Sequence, residues 1–345
     1  MEIGSSKLIK FAEALIGEAY RLPEYSSKYS RKDYTIRQHV VMLCLKIKLK
    51  QRYREFCEIL DLMPEIKQIL GIEKVPHWTT LDKNFLKMKN SVLMILLYAE
   101  SLGFASVDAT GFDTRHASKQ YLNRCGMHIK SLKTTMLIDV QSQQIIGLHC
   151  TTTRKHDSKI VLPLVKEHRL KILCGDMGYD DSKVRKALRS RGIRPLIPYR
   201  IFKEKHRYWN SLMSKNLYHK RSLSETVNSS IKRKYTDTLY SKHWRNQKKE
   251  MTLLAIVYNI DRKIRLFVIG FLQSYNFIFP ALQKIQNRLF TDSHKRLQPD
   301  YGCSIFLRCG LRECKLFRHY ARCFCHTIGF ICSHCALCYW YCQQG

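Results

Sequence analysis

The chain has 345 residues, 45% of them hydrophobic, and its 60 Lys and Arg stand against 28 Asp and Glu for a formal net charge of +32. That length allows two domains, or one large domain with an appendage, and the hydrophobic share suits a soluble protein that buries a core. A cationic surplus of this size favours a polyanionic partner, nucleic acid ahead of a membrane surface or a ribosome.

Residues 1–20 mix Glu2, Lys7, Lys10, Glu13 and Glu18 with apolar positions, so no secretory signal is expected there. Residues 1–100 carry helical periodicity. Ile36, Val40, Val41, Leu43, Cys44 and Ile47 mark one apolar face, and Tyr53, Phe56, Cys57 and Leu60 mark a second. Pro64 and Gly71 punctuate the next stretch of chain. Thr79, with Asp82 three residues on, has the form of a capping box that opens a helix running towards Tyr98. Lys46, Lys48, Lys50, Arg52 and Arg54 crowd the junction of the first two helices. Short helices with a basic junction suit a helix-turn-helix-like DNA-binding segment. The competing reading is a helical support whose lysines are merely solvated.

From about residue 102 the texture changes to strands. Phe104 to Asp108 is an apolar run ended by an acid, and Thr110-Gly111 follows it as a turn signal. Leu132–Val140 and Ile145–Thr153 predict a β-hairpin joined through Gln141–Gln144. A helix is predicted from about His156-Asp157-Ser158 to before Lys171. Lys171–Gly175 predicts a short strand ending at Asp176, with Gly178 in the following loop. A basic helix over Asp181–Arg191 precedes a short strand over Pro195–Pro198. Tyr199–Leu217 reads as irregular, and a helix carrying Glu225 comes next. Three strands, a helix, then strand–helix–strand–helix is the order of a mixed α/β domain with helices on the faces of one sheet.

The texture changes again near Arg265. Leu266–Leu282 is short for a membrane span and is broken by Gln273, Ser274 and Asn276, so it reads as buried or as an artefact. Of 14 cysteines, Cys44, Cys57, Cys125, Cys150 and Cys174 are scattered and read as reduced core thiols. Nine crowd between Cys303 and Cys342. Cys323-x-Cys325 and Cys332-x2-Cys335-x2-Cys338 lie near His319, His326 and His334, but they do not resolve into two separated zinc-ligand pairs. The tail reads as non-native sequence, such as a frameshifted end, with a metal-binding appendage as the alternative.

Tyr218, Arg221, Glu225 and Lys232 form the pattern Y-x2-R-x3-E-x6-K. On a helix the last three are spaced by four and seven residues and project from one face. An acid flanked by cations there, with Asp108 and Asp176 each ending an apolar run, suits a metal site facing a phosphate backbone. Phosphodiester cleavage needs an activated water or hydroxyl and charge stabilisation at the attacking and leaving oxygens. Two divalent ions about 4 Å apart, held by carboxylates, supply both. Magnesium takes oxygen ligands and keeps several waters, so three acids are enough. Other acids compete: Asp113, Asp139, Asp157 and Asp180 are available. Asp139 reads as a hairpin-end residue, Asp180 as a helix cap, and Asp157 as a candidate assistant at the site. His128 and His156 read as structural or phosphate-facing. Residues 185–207 hold nine Lys or Arg against one acid, and residues 220–249 nine against two, so an electropositive cleft is expected.

The stretches VDATGF, CGDMGYD and YHKRSLSETVNSSIKRKY resemble the DDE-type insertion-sequence transposases, of the broad group with a Tyr–Arg–Glu–Lys signature. The resemblance covers about residues 30–262 and takes in the N-terminal helices, His156-Asp157 and a closing helix over Met251–Asp261. It implies a ribonuclease-H-like catalytic domain, with which the predicted strand order agrees. The expected division is a helical DNA-binding segment over residues 1–100, a catalytic domain over 101–263 and a Cys-rich tail over 264–345.

By this resemblance Asp108, Asp176 and Glu225 are the metal-binding catalytic acids, with Mg²⁺ as cofactor and Mn²⁺ as its substitute. Tyr218, Arg221 and Lys232 are expected to contact phosphates and bases near the element's end. Trp209 reads as a half-buried packing residue, the alternative being an aromatic that stacks on a flipped base, as in related transposases. The implied reaction is hydrolysis at the ends of an insertion sequence, then attack of the freed 3′-hydroxyl on target DNA. Its partners would be transposon-end and target DNA and a second copy of the chain, with no membrane, in a prokaryotic cytoplasm near the nucleoid. The rival readings are a related metal nuclease without strand transfer and a non-catalytic DNA-binding relic of a decayed element.

Overall fold

The computed structural model describes residues 6–29, 31–98, 103–114, 120, 124, 131–151 and 156–293, through the backbone alone from residue 269. The chain divides into two units, Phe11–Phe267 and a second composed of Met1–Lys10 and Val268–Gly345. The site is built within the first.

Six helices come first: α1 (Lys7–Ala19), α2 (Ile36–Lys48), α3 (Tyr53–Asp61), α4 (Pro64–Leu70), α5 (Trp78–Lys87) and α6 (Asn90–Leu97). A capping box starts α2. The Thr35 hydroxyl accepts from the Gln38 amide at 3.1 Å, and the Gln38 side chain accepts from the Thr35 amide at 2.8 Å. Every residue from His39 to Leu45 is buried, so α2 is the hub of this group. The expected box at Thr79 and Asp82 is not the cap. His77 takes that place, its Nδ1 accepting from the Thr79 amide at 3.4 Å. The helix stops at Lys87 because Met88 is extended, and α6 begins separately. In the basic junction, Lys46 lies 4.4 Å from the Tyr53 ring, Arg54 4.6 Å from the Trp78 ring, and Lys48 reaches Asp261 at 2.5 Å. Three of those five cations are thus turned onto the protein itself.

Five strands follow, β1 (Phe104–Asp113), β2 (Ser131–Asp139), β3 (Ile145–Thr151), β4 (Ile172–Cys174) and β5 (Arg194–Leu196), in the order β3-β2-β1-β4-β5. The first three are antiparallel and β1, β4 and β5 are parallel. This is the mixed sheet that the sequence predicts. Thr110-Gly111 does not turn: the ladder with β2 runs on through Thr110↔Thr134 and Gly111↔Lys133 to Asp113↔Ser131. Paired backbone hydrogen bonds outweigh the local preference of one glycine.

Parallel strands need crossovers, and these are α7 (Ser158–Val165) and α8 (Ser182–Ser190). They cover one face of the sheet, where Ala105, Val107, Leu137 and Leu173 meet Val161, Val165, Val184 and Leu188. The other face carries Phe104, Cys174 and Leu196 against Met213, Leu217, Tyr218 and Leu223. The segment expected to be irregular holds two helices, α9 (Glu204–Ser211) and α10 (Lys215–His219), before α11 (Ser222–Lys234). Neither α9 nor α10 buries a residue, so neither leaves an apolar stripe in the sequence. The closing helix, α12 (Trp244–Ser293), extends well past its expected bounds. It ties the sheet to the first helices. Asn259 bonds both the amide and the carbonyl of Ile145, at 2.8 and 2.7 Å, while Lys249 caps the Phe85 and Leu86 carbonyls.

Cys44, Cys150 and Cys174 are buried free thiols and Cys57 is a half-buried one. Cys125, His128 and the tail's Cys and His cluster lie outside the described residues. No helix among the described residues is long and apolar enough to cross a membrane.

Candidate active site

Alternate residues of β1 face opposite sides of the sheet, and Ser106, Asp108 and Phe112 on one of them meet α11. Ser106 and Ser224 bond through their hydroxyls at 3.2 Å. One turn on, the Asn228 amide donates to Asp108 Oδ2 at 2.8 Å. A further turn on, Lys232 Nζ lies 5.3 Å from the centre of the Phe112 ring. The helix is therefore laid along the strand, its residues four apart meeting Ser106, Asp108 and Phe112 of one strand face. Ser224, Val227, Asn228 and Ile231 form the buried stripe that seats it.

The second aspartate is placed by the parallel pairing of β1 with β4. Their last pair is Ser106↔Cys174, so Asp108 and Asp176 each stand two residues beyond it on neighbouring strands. Asp176 also opens the single 3-10 turn Met177–Tyr179, accepting the Gly178 amide on Oδ1 at 2.7 Å. A Cβ on residue 178 would stand 2.8 Å from that oxygen, so a side chain there would push the carboxylate off its turn. Glu225 comes from the first turn of α11, half exposed, with Oε1 bound by the Arg221 guanidinium at 2.6 Å.

Burial pushes the Asp108 carboxyl above its ordinary range. The Ala109 amide, Asn228 and Arg221 pull it back, and the charge of Glu225 pushes it further up. Burial also raises the Tyr218 phenol, which feels both Arg221 and Asp176. Tyr218, Arg221, Glu225, Asp108 and Asp176 thus share one neighbourhood, beside the point where β1 and β4 part. Lys232 is set off from it, over Phe112.

Among the competing acids, Asp157 pairs with Lys133 at 2.5 Å and Asp139 holds the Ser142 amide and hydroxyl at 2.9 Å. Asp180 is not the expected helix cap. It pairs with Arg185 at 2.8 Å and takes the Arg200 amide at 2.7 Å, while its neighbour Asp181 caps α8 through the Lys183 amide. The carboxylate able to reach the free amides of that helix is the one directly before it. Asp113 is exposed at the far end of β1. His156 bonds Ser158 through Nδ1 at 2.8 Å and lies 3.4 Å from Arg200. Trp209 packs on Tyr199, ring centres 5.0 Å apart, and keeps 41% of its surface exposed. Two residues escape a reading of the sequence. Asn228 follows Glu225 by three, a spacing that places both on one helix face. Tyr179 is 1% exposed, and its hydroxyl has no hydrogen-bond partner among the described residues. Burial and the charges of Asp157, Asp108 and Asp176 all push its phenol up.

The three acids offer carboxylate oxygens alone, the donor set of a hard divalent cation. Asp108 is half-buried, and among the described residues neither it nor Asp176 is in an ion pair. A carboxylate in that setting calls for a cation, so the residues fit one. The set is not a closed cage: among the described residues no three His, Cys, Asp or Glu side chains are gathered as metal ligands. Glu225 is held away by Arg221, and one oxygen of Asp176 is taken by its own turn.

Residues 101–260 match the family model described as the transposase DDE domain. Among solved structures, piggyBac transposase in a synaptic complex with hairpin DNA is similar at a TM-score of 0.39 and 9% identity, over 75% of this chain and 72% of that one. The simian T-cell lymphotropic virus intasome in complex with the PP2A regulatory subunit B56 gamma is similar at 0.22 and 11% identity, over 43% of this chain and 56% of that one. No curated protein matches the sequence. The stretch that matches the transposase DDE domain is the one that builds the sheet and carries Asp108, Asp176 and the helix of Glu225.

Proposed function

We propose that the protein is the transposase of an insertion sequence, cutting the element's ends and joining them to target DNA, with Asp108, Asp176 and Glu225 as its catalytic acids. The observation that carries this reading is their common address. All three lie about the point where β1 and β4 part, inside the segment that matches the transposase DDE domain. These three carboxylates would hold the divalent cation, Mg²⁺ with Mn²⁺ as its substitute. When bound, it activates a hydroxyl nucleophile and offsets charge developing at phosphorus. Hydrolysis and strand transfer are both in-line displacements at phosphorus, so one site serves them in sequence.

The chain's own residues do the positioning. Arg221 is now spent on Glu225 at 2.6 Å. Whatever draws that carboxylate away frees a planar guanidinium suited to bidentate contact with a phosphate. Tyr218 backs Arg221, whose amide donates to the Tyr218 carbonyl at 2.9 Å, and Lys232 supplies a point charge further along β1. DNA is the expected partner, held along the basic stretches 185–207 and 220–249. Paired element ends would bring two copies of the chain together. The helices before residue 100 would add DNA contacts, the catalytic domain would end near residue 263, and residues 264–345 would be a separate tail, all in a prokaryotic cytoplasm.

The test is cleavage of a labelled duplex carrying the element's ends, with Mg²⁺, by the wild type, Glu225→Gln and Asp108→Asn. Nicking at the end and joining to a target plasmid are expected from the wild type. Each substitution should slow both by about a thousand-fold, roughly 4 kcal/mol of transition-state stabilisation. Binding without cutting by the wild type, in Mg²⁺ and in Mn²⁺, would sink the reading.

A further inference from the structure

Asn228 is 6% exposed and uses half of its side chain. Its Nδ2 donates to Asp108 Oδ2 at 2.8 Å, whereas its Oδ1 is fully buried and has no hydrogen-bond partner among the described residues. The orientation of the amide is fixed by the carboxylate, since a carbonyl oxygen turned to Asp108 would face like charge. Its place is fixed by packing: Val227 and Ile231 are buried beside it, and Ser224 bonds Ser106 one turn earlier. Buried polar atoms are nearly always paired, so an acceptor left idle beside a catalytic acid needs a reason.

The choice of an amide is informative. A lysine or arginine at this position would pair with Asp108 and compete with a cation for its charge. A second carboxylate would repel it. An amide orients the carboxylate, adds no charge and keeps an acceptor of its own.

Resting on the catalytic reading of Asp108 above, we propose that Asn228 is a positioning residue of the active site. Its N–H fixes the Asp108 carboxylate, and its carbonyl, shut off from solvent, brings no competing donor or charge to that acid. Through Asn228, the helix that carries Glu225 sets the orientation of the acid on β1. Outer partners of this kind typically contribute about 10- to 100-fold to metal affinity or to rate.

The test compares the full chain with Asn228→Leu, which is of similar size but has no polar atom, and with Asp108→Asn. Three quantities are measured: the thermal midpoint, Mn²⁺ binding by calorimetry without DNA, and single-turnover cleavage. Asn228→Leu should melt at or above the wild-type midpoint, because an unpaired polar atom is gone. Its Mn²⁺ affinity and its cleavage rate should each fall about 10-fold or more. Wild-type Mn²⁺ affinity and rate in this variant would overturn the proposal. So would a lowered midpoint with an unchanged Mn²⁺ isotherm, the mark of a merely structural residue. If Asp108→Asn is inactive while Asn228→Leu cuts normally, this inference alone fails. If Asp108→Asn itself cuts normally, the catalytic reading fails first. Should the leucine variant not melt cooperatively, Asn228→Ser, which leaves Val227 and Ile231 in place, is judged by the same criteria.

Discussion

His39 sits in the buried middle of α2, 4% exposed, with no hydrogen-bond partner for Nδ1 among the described residues. Burial lowers its pKa to about 4, because the charged ring would be stripped of water. The folded value lies below the unfolded value of about 6.5, so its contribution to stability is present above pH 6.5 and is lost as pH falls through 4. The loss is on the order of 3 kcal/mol over that window. Urea denaturation at pH 7 and at pH 4.5 should show a drop in midpoint that shrinks in His39→Leu; an equal drop in both proteins would refute the assignment. The proposed catalytic acids are legible where this histidine's role is not, since Asp108 and Asp176 end apolar runs and Glu225 falls in a spaced motif. Asn228 and Tyr179 carry no charge and no motif. The bond from Asn228 to Asp108 spans 120 residues and exists only once α11 is laid on β1.

Elements are held together by a few polar nodes, and the strongest joins three helices. Asp261 of α12, with 13% of its side chain exposed, receives Lys48 of α2 at 2.5 Å. The hydroxyl of Tyr235, at the end of α11, reaches it at 2.5 Å. Asp261→Leu would strand a cation and a phenol at once. We expect a loss of about 2–3 kcal/mol in chemical denaturation, below that of a deeply buried pair because Lys48 keeps partial access to water. A change under about 0.5 kcal/mol, the size of an ordinary surface substitution, would show that packing alone holds α12. At this scale the sequence is readable where burial repeats regularly. The apolar face of α3 and the order of the strands follow from periodicity, whereas α2 is buried on every side from His39 to Leu45. It misleads where a local signal meets a tertiary competitor: Gly111 stays in the ladder with β2, and His77 outcompetes Thr79 at the cap of α5. It is silent over α9 and α10, which bury no residue fully.

For the whole molecule the net charge of +32 overstates what a DNA backbone meets. Lys48 is paired with Asp261, Lys249 is sealed against the Phe85 and Leu86 carbonyls, and Arg185 is bound to Asp180 and to the Ile197 carbonyl. These cations are part of the fold. The exposed ones include Lys186, Arg189, Arg194, Lys203, Lys205 and Arg207, carried by α8, β5, α9 and the residue before α9, close to the site in sequence. If about six of the exposed cations meet phosphates, affinity should fall roughly a thousand-fold between 50 and 200 mM salt. Fluorescence anisotropy on a short labelled duplex gives the slope. Lys205→Ala should reduce that slope by about 1, the share of one phosphate contact, and leave the thermal midpoint unchanged. Lys249→Met should do the reverse, lowering the midpoint and keeping the slope, because its charge never faces DNA. Affinity that ignores salt would mean that the cationic surface serves some other end, and the transposase reading would then have to stand on the acids alone.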